Sequence, residues 1–90
     1  MSASRTVTIC NQRGLHARAS ARFVAEAARY DAVVTVAREG EKVRADSIME
    51  LLMLAAGPGA QITISAEGND AEAALDALAG LVECGFDETD

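Results

Sequence analysis

The sequence predicts an α+β domain in which one sheet carries its helices on a single face. Three observations predict it. Stretches of period-two alternation interleave with stretches of helical period. Their order is strand, helix, strand, strand, helix, strand, helix. A chain of 90 residues leaves room for one domain and one such sheet.

Thr6 to Cys10 alternates polar and apolar residues and reads as a half-buried strand. Asn11-Gln12-Arg13-Gly14 breaks it with turn chemistry. A helix is expected from His16 to Tyr30. Its apolar stripe is Ala17, Ala21, Val24 and Ala28, widened by Phe23 and Ala27; its polar stripe is Arg18, Arg22, Glu26 and Arg29. Ala32 to Arg38 is β-branched and alternating. Glu39-Gly40-Glu41 turns the chain, and Lys42 to Ala45 returns as a hairpin strand. Ser47 with Glu50 forms a capping box for a short helix over Ile48–Leu54, which Gly57-Pro58-Gly59 ends. Ala60 to Glu67 alternates again, with Ile62 and Ile64 on one side. Asn69 with Glu72 signals a second capping box. Ala71, Leu75, Leu78 and Val82 stripe the last helix, and Gly85 caps its end. The whole chain, 1–90, is read as one domain with its core over about 5–84. The acidic tail, 85–90, is expected to be mobile.

Half the residues are apolar, so a packed core is expected. Aromatics are limited to Phe23, Tyr30 and Phe86, so the elements must meet on small side chains. The net charge of −6 argues against nucleic acid as a partner, because phosphate backbones need a basic footprint. The charge is uneven. Arg5, Arg13, Arg18, Arg22 and Arg29 crowd the first third, while Glu83, Asp87, Glu88 and Asp90 crowd the end. No apolar run approaches the ~20 residues that span a bilayer, and the polar start is unlike a signal peptide, so a cytoplasmic location is expected. Cys10 and Cys84 have no metal-ligand spacing and are expected to be small buried hydrophobes, with a disulfide as the alternative.

His16 is the single histidine. It follows a strand and a glycine turn and opens a helix. The first N–H groups of a helix lack intrahelical partners and, with the helix dipole, favour an anion. An imidazole there can attack phosphorus while Ala17 and Arg18 offer backbone N–H groups and Arg18 its planar guanidinium. The residues alone leave two readings open, this nucleophile or an ordinary capping histidine. A metal site is not expected, since no second His or paired Cys is at hand. A hydrolytic dyad with Ser20 is not expected either. Ser47 is an N-cap. Ile48, Met49 and Leu52 belong to a helix apolar nearly all round, so some of them must face solvent or a partner.

Gly14-Leu15-His16-Ala17-Arg18 resembles the active-site motif of the HPr phosphocarrier family of the bacterial phosphotransferase system. Ser47-Ile48-Met49 resembles that family's regulatory serine and docking surface, and Gly59 to Gly68 resembles its last strand. The resemblance runs from about Arg5 to about Val82 without insertion. It implies an open-faced β-sandwich, a four-stranded antiparallel sheet under three helices. It implies that His16 carries a phosphoryl group on Nδ1, that Arg18 contacts it, and that Ser47 is a regulatory phosphorylation site. Phosphoenolpyruvate is the implied source, enzyme I the donor and an EIIA-type protein the acceptor. An HPr serine kinase/phosphorylase is the implied partner of Ser47. Arg13, Arg22, Ile48, Met49 and Leu52 are expected to dock these partners. The chain is expected to be a monomeric carrier rather than an enzyme, without cofactor or metal. Ala19 stands where most relatives have Pro, and Glu50 differs from the Gly or basic residue of many. Sugar uptake and a nitrogen-type regulatory phosphorelay both remain open, with a lean towards regulation. The alternative from another class is a ferredoxin-like binding module, which would not need a histidine and an arginine at a helix start.

Overall fold

Alternation in four segments builds one sheet. In a computed structural model, which describes residues 1–88, the strands are β1 (Ser2–Thr8), β2 (Val33–Arg38), β3 (Glu41–Arg44) and β4 (Gln61–Glu67). They pair antiparallel in the order β1-β4-β2-β3. The helices are α1 (Ala17–Ala27), α2 (Ile48–Met53) and α3 (Ala71–Glu83), so the expected order of elements holds.

Register sorts the two faces. Val7 sits opposite Ile62, Ile64 opposite Val36, and Ala66 opposite Val34; all six are buried. Their neighbours point the other way. Thr6 faces Thr63, whose hydroxyls lie 3.0 Å apart, and Ser4 faces Ser65. The hydroxyl face meets water and the aliphatic face meets the helices, the arrangement an antiparallel sheet tolerates. The helical layer adds Phe23, Leu51, Leu78, Val82 and Phe86, all fully enclosed. No helix among the described residues is long and apolar enough to cross a membrane.

Several local expectations are corrected. The first strand starts at Ser2 and ends at Thr8, so Cys10 lies outside it. In α1 the buried residues are Ala19, Ser20, Phe23 and Ala27, while Ala17 and Ala28 are exposed. Alanines cannot point a stripe, because each offers little apolar area; Phe23, the one large side chain enclosed on this helix, sets the inward direction. The helix stops at Ala27, short of Tyr30. β3 and α2 each end within a residue of expectation, and Arg38 donates to the Leu54 carbonyl at 3.0 Å beyond the end of α2. The N-cap of α3 is Asp70, not Asn69, and it makes no side-chain capping bond. Instead Asp70 accepts from the Asp31 N–H at 2.8 Å, and Asn69 donates to the Asp31 carboxylate at 2.9 Å. Tertiary contacts with the turn before β2 have taken both side chains. Cys10 and Cys84 are exposed free thiols, not buried hydrophobes. Both flank turns at the rim, where Cys10 reaches the Val82 carbonyl at 3.5 Å.

The tail differs most. Gly85 adopts a left-handed conformation just past α3, as a helix-ending glycine does. Phe86 and Asp87 continue left-handed, with φ of 58° each, and Phe86 is fully buried. Left-handed non-glycine residues cost about 1–2 kcal/mol each, and burying a Phe side chain returns about 1.5–3 kcal/mol. The bonds from Arg22 and Asn11 add to that burial, and residues 85–88 are packed against the body. The expectation for residues 89–90 falls outside the described residues.

Candidate functional site

Three segments converge where β1 runs into α1. Gly14 has φ +64°, and a Cβ there would sit 2.5 Å from the Ala56 carbonyl oxygen and 2.7 Å from Gly57 Cα. Only glycine permits this approach, and it lets the Leu15 N–H donate to Ala56 at 2.8 Å. Ser20 donates its hydroxyl to the Leu15 carbonyl at 3.2 Å from inside the helix. The residue before His16 is thus pinned from both sides.

His16 is the N-cap of α1, with extended backbone (φ −76°, ψ −178°). Its Nδ1 accepts from the Arg18 N–H at 3.3 Å. Its other ring nitrogen meets the Glu88 carboxylate. Each neighbour assigns one nitrogen: a carboxylate only accepts, so Nε2 carries the hydrogen, and Nδ1 facing an N–H presents its lone pair. Nδ1 lies at the N-terminus of α1, where the dipole and the N–H groups of the first turn favour an anion. No acidic side chain occupies the first turn.

Glu88 is held from two sides. Asn11, buried at the turn before Gly14, donates to Oε1 at 2.9 Å and also to the Gly14 carbonyl at 2.8 Å. The bond from Asn11, followed by that from His16, holds the Glu88 carboxyl below its ordinary range. Arg22 anchors the preceding residues, donating to the Phe86 carbonyl and to Asp87 at 3.1 Å. This bond, aided by the Cys84 thiol, lowers the Asp87 carboxyl as well.

The remaining sequence-derived candidates fall into two groups. Arg18 projects from the first turn with an exposed side chain, and Arg13 is exposed on the preceding turn. Ser47 accepts from the Glu50 N–H at 3.3 Å as the N-cap of α2. On α2, Met49 is 70% exposed and Ile48 39% exposed, Leu52 is half-buried, and Leu51 is wholly enclosed. The helix therefore has an apolar outer face. Sequence reasoning missed Met53, equally exposed at 70%, and missed Asn11 and Glu88. One signal for the tail existed: Phe86 is an isolated aromatic in an otherwise acidic end. Among the described residues, no group of three or more His, Cys, Asp or Glu could hold a metal ion.

Comparisons with known proteins bear on this geometry. The family model described as "PTS HPr component phosphorylation site" matches residues 3–84. The chain is 48% identical over 84 residues to phosphocarrier protein NPr of Shewanella violacea, covering 93% of this chain and 92% of that protein. It is 44% identical over 84 residues to phosphocarrier protein HPr of Cupriavidus necator, covering 93% and 94%. Among solved structures, HPr-C-His of Thermoanaerobacter tengcongensis superposes with a TM-score of 0.93 at 39% identity, covering 98% of this chain and 99% of that one. A glycine turn pinned beneath a helix-capping histidine thus sits within the matched segment, on a matching fold, and the chain belongs to the HPr family of phosphocarriers of the phosphotransferase system.

Proposed function

We propose that His16 carries the phosphoryl group, on Nδ1, between a phosphorylated enzyme I and an EIIA-type acceptor of the sugar-uptake or nitrogen-type branch. One observation carries the reading: the Nδ1 lone pair faces the Arg18 N–H in the first turn of α1, in a site whose opposite ring nitrogen is already engaged. In the forward step the Nδ1 lone pair attacks phosphorus. The bond from phosphorus to the donor breaks, and its electron pair leaves with the donor. The Nε2 hydrogen stays in place, so no proton need be exchanged with water. The phosphoryl oxygens then accept from the backbone N–H groups of Ala17 and Arg18, and the Arg18 guanidinium neutralises their charge. Onward transfer reverses these roles.

Docking is assigned to the exposed face of α2, with Ile48, Met49 and Leu52, together with Arg13 and with Arg22, whose guanidinium also holds Asp87 and the Phe86 carbonyl. Apolar contact there gives adhesion, and the exposed Arg13 steers acidic partners, with Arg22 contributing only the charge that Asp87 leaves unneutralised. Ser47 opens α2 beside that face, so a phosphate on it would place negative charge in the docking surface. An HPr serine kinase/phosphorylase is the partner for that reaction. The chain acts as a monomeric, single-domain cytoplasmic carrier, a covalent intermediate rather than an enzyme.

The test is incubation with phosphoenolpyruvate and enzyme I, followed by mass spectrometry. The expected product is an acid-labile adduct of about 80 Da on His16, absent from His16→Ala. A labile adduct persisting on that variant would place the acceptor elsewhere.

A further inference from the structure

The Glu88 carboxylate is built into the site although it lies beyond the residues that match the family model. Four contacts place it. Phe86 is buried, Arg22 holds the Phe86 carbonyl and Asp87, and the Glu88 N–H donates to the Gly85 carbonyl at 3.1 Å. Asn11 then takes one carboxylate oxygen at 2.9 Å, which leaves the other for His16 Nε2. The Asn11 amide is itself fixed, since its Nδ2 also serves Gly14, the residue that shapes the turn. Two donors thus meet two oxygens, with no oxygen to spare.

We propose that Glu88, held by Asn11, is a positioning residue for phosphoryl transfer at His16: it keeps the hydrogen on Nε2, so that Nδ1 presents its lone pair to phosphorus. This rests on His16 being the phosphoryl acceptor. Glu88 acts on both the tautomer and the charge of the ring. A neutral imidazole has two tautomers, and only the one protonated on Nε2 is nucleophilic at Nδ1. A carboxylate that accepts from Nε2 selects it, as carboxylates do for other working histidines. When Nδ1 bonds to phosphorus, the ring retains its Nε2 hydrogen and becomes cationic. The adjacent carboxylate stabilises that cation, and it is already in place when the charge develops, so little reorganisation is needed. When the phosphoryl group leaves, the ring returns to the same neutral tautomer. Atoms balance without an external acid or base.

Glu88→Gln tests this with little change in shape. The amide offers one acceptor oxygen to two donors, so either Asn11 or His16 loses its partner. Glu88→Ala removes both bonds. The full chain, labelled with ¹⁵N-histidine, is examined by NMR near pH 8, where free imidazole is neutral. Phosphorylation by enzyme I and phosphoenolpyruvate is timed alongside. The wild-type ring is expected to be almost wholly protonated on Nε2. Both variants should show a growing Nδ1–H population and accept phosphate about tenfold more slowly, the scale of losing one charge-assisted hydrogen bond. The tautomer is read from resonances of the folded chain, so lost stability cannot mimic it. An unchanged tautomer ratio in both variants overturns the proposal. So does a changed ratio with unchanged transfer rates. A wild-type chain that takes no phosphate would overturn the carrier role of His16 instead, while the ring resonances would still judge the contact with Glu88.

Discussion

The N–H of Leu15 donates to the carbonyl of Ala56 at 2.8 Å, tying the residue before the candidate acceptor to the segment leaving α2. The segment that follows α2 and the turn that presents His16 are therefore tied together. The close approach depends on Gly14, whose missing side chain admits the Ala56 and Gly57 backbone. Gly14→Ala should cost about 2–4 kcal/mol, since it adds left-handed strain to a clash with backbone that cannot swing away. Urea unfolding measures it; a loss below ~1 kcal/mol would show that the turn and the segment after α2 move apart freely.

Arg18 projects from the first turn of α1, where charge would develop during transfer. Arg18→Ala should leave the fold intact and slow transfer by about 10²-fold, as deletion of one preorganised donor does. Rapid-quench kinetics with enzyme I and with the acceptor provide the comparison. Equal rates in both directions would make Arg18 a surface charge only.

Met49 is 70% exposed, whereas Leu51 on the same helix is enclosed. Met49→Glu should weaken enzyme I binding at least tenfold, with little change in melting temperature, because it spoils a surface and leaves the core untouched. Leu51→Ala should do the reverse, costing about 2–5 kcal/mol of stability. Binding by calorimetry beside thermal melts separates the two. Unaltered affinity for Met49→Glu would refute the docking face.

Ser47 caps α2 with Asp46 beside it and Glu50 in the first turn. Asp46 is paired with Arg44 at 3.2 Å. A further negative charge at this helix start meets a favourable dipole of about 0.3–1 kcal/mol and two opposing carboxylates, so the net change in stability should be small. Ser47→Asp should instead slow phosphorylation of His16 by enzyme I, because the charge would be desolvated in the docked complex. If the mimic is folded and as fast as wild type, Ser47 has no regulatory part.

The tail should respond to acid. The Glu88 and Asp87 carboxyls are held below their ordinary values, so their bonds are fully present above the usual carboxylate range. They are lost as pH falls below about 4 and through the depressed values. The Asn11 side-chain amide resonances should shift over that interval, while Phe86, held by burial, should not. An Asn11 amide indifferent to acid down to about pH 2 would mean that the carboxylate does not reach it.

The order of elements, the buried face of β4, the stripe of α3 and the cap of α2 were legible in the sequence. Each is a local pattern: Ile62 and Ile64 alternate, Leu75 and Leu78 recur with helical period, and Ser47 precedes Glu50. Placing His16 at a helix start was equally local, since a glycine turn and a helical pattern meet there. The inward stripe of α1 is not legible in the sequence, because alanine dominates it and carries little directional signal. The cap of α3 is not legible either, because Asp31, distant in sequence, takes both Asn69 and Asp70. Only the tertiary structure decided what the acidic end does. The sequence shows arginines early and carboxylates late; folding brings Arg22 to Asp87 and His16 to Glu88, across separations of 65 and 72 residues. No local period encodes such a contact. It forms because burial of Phe86 returns the chain to the start of α1, where two donors await a carboxylate.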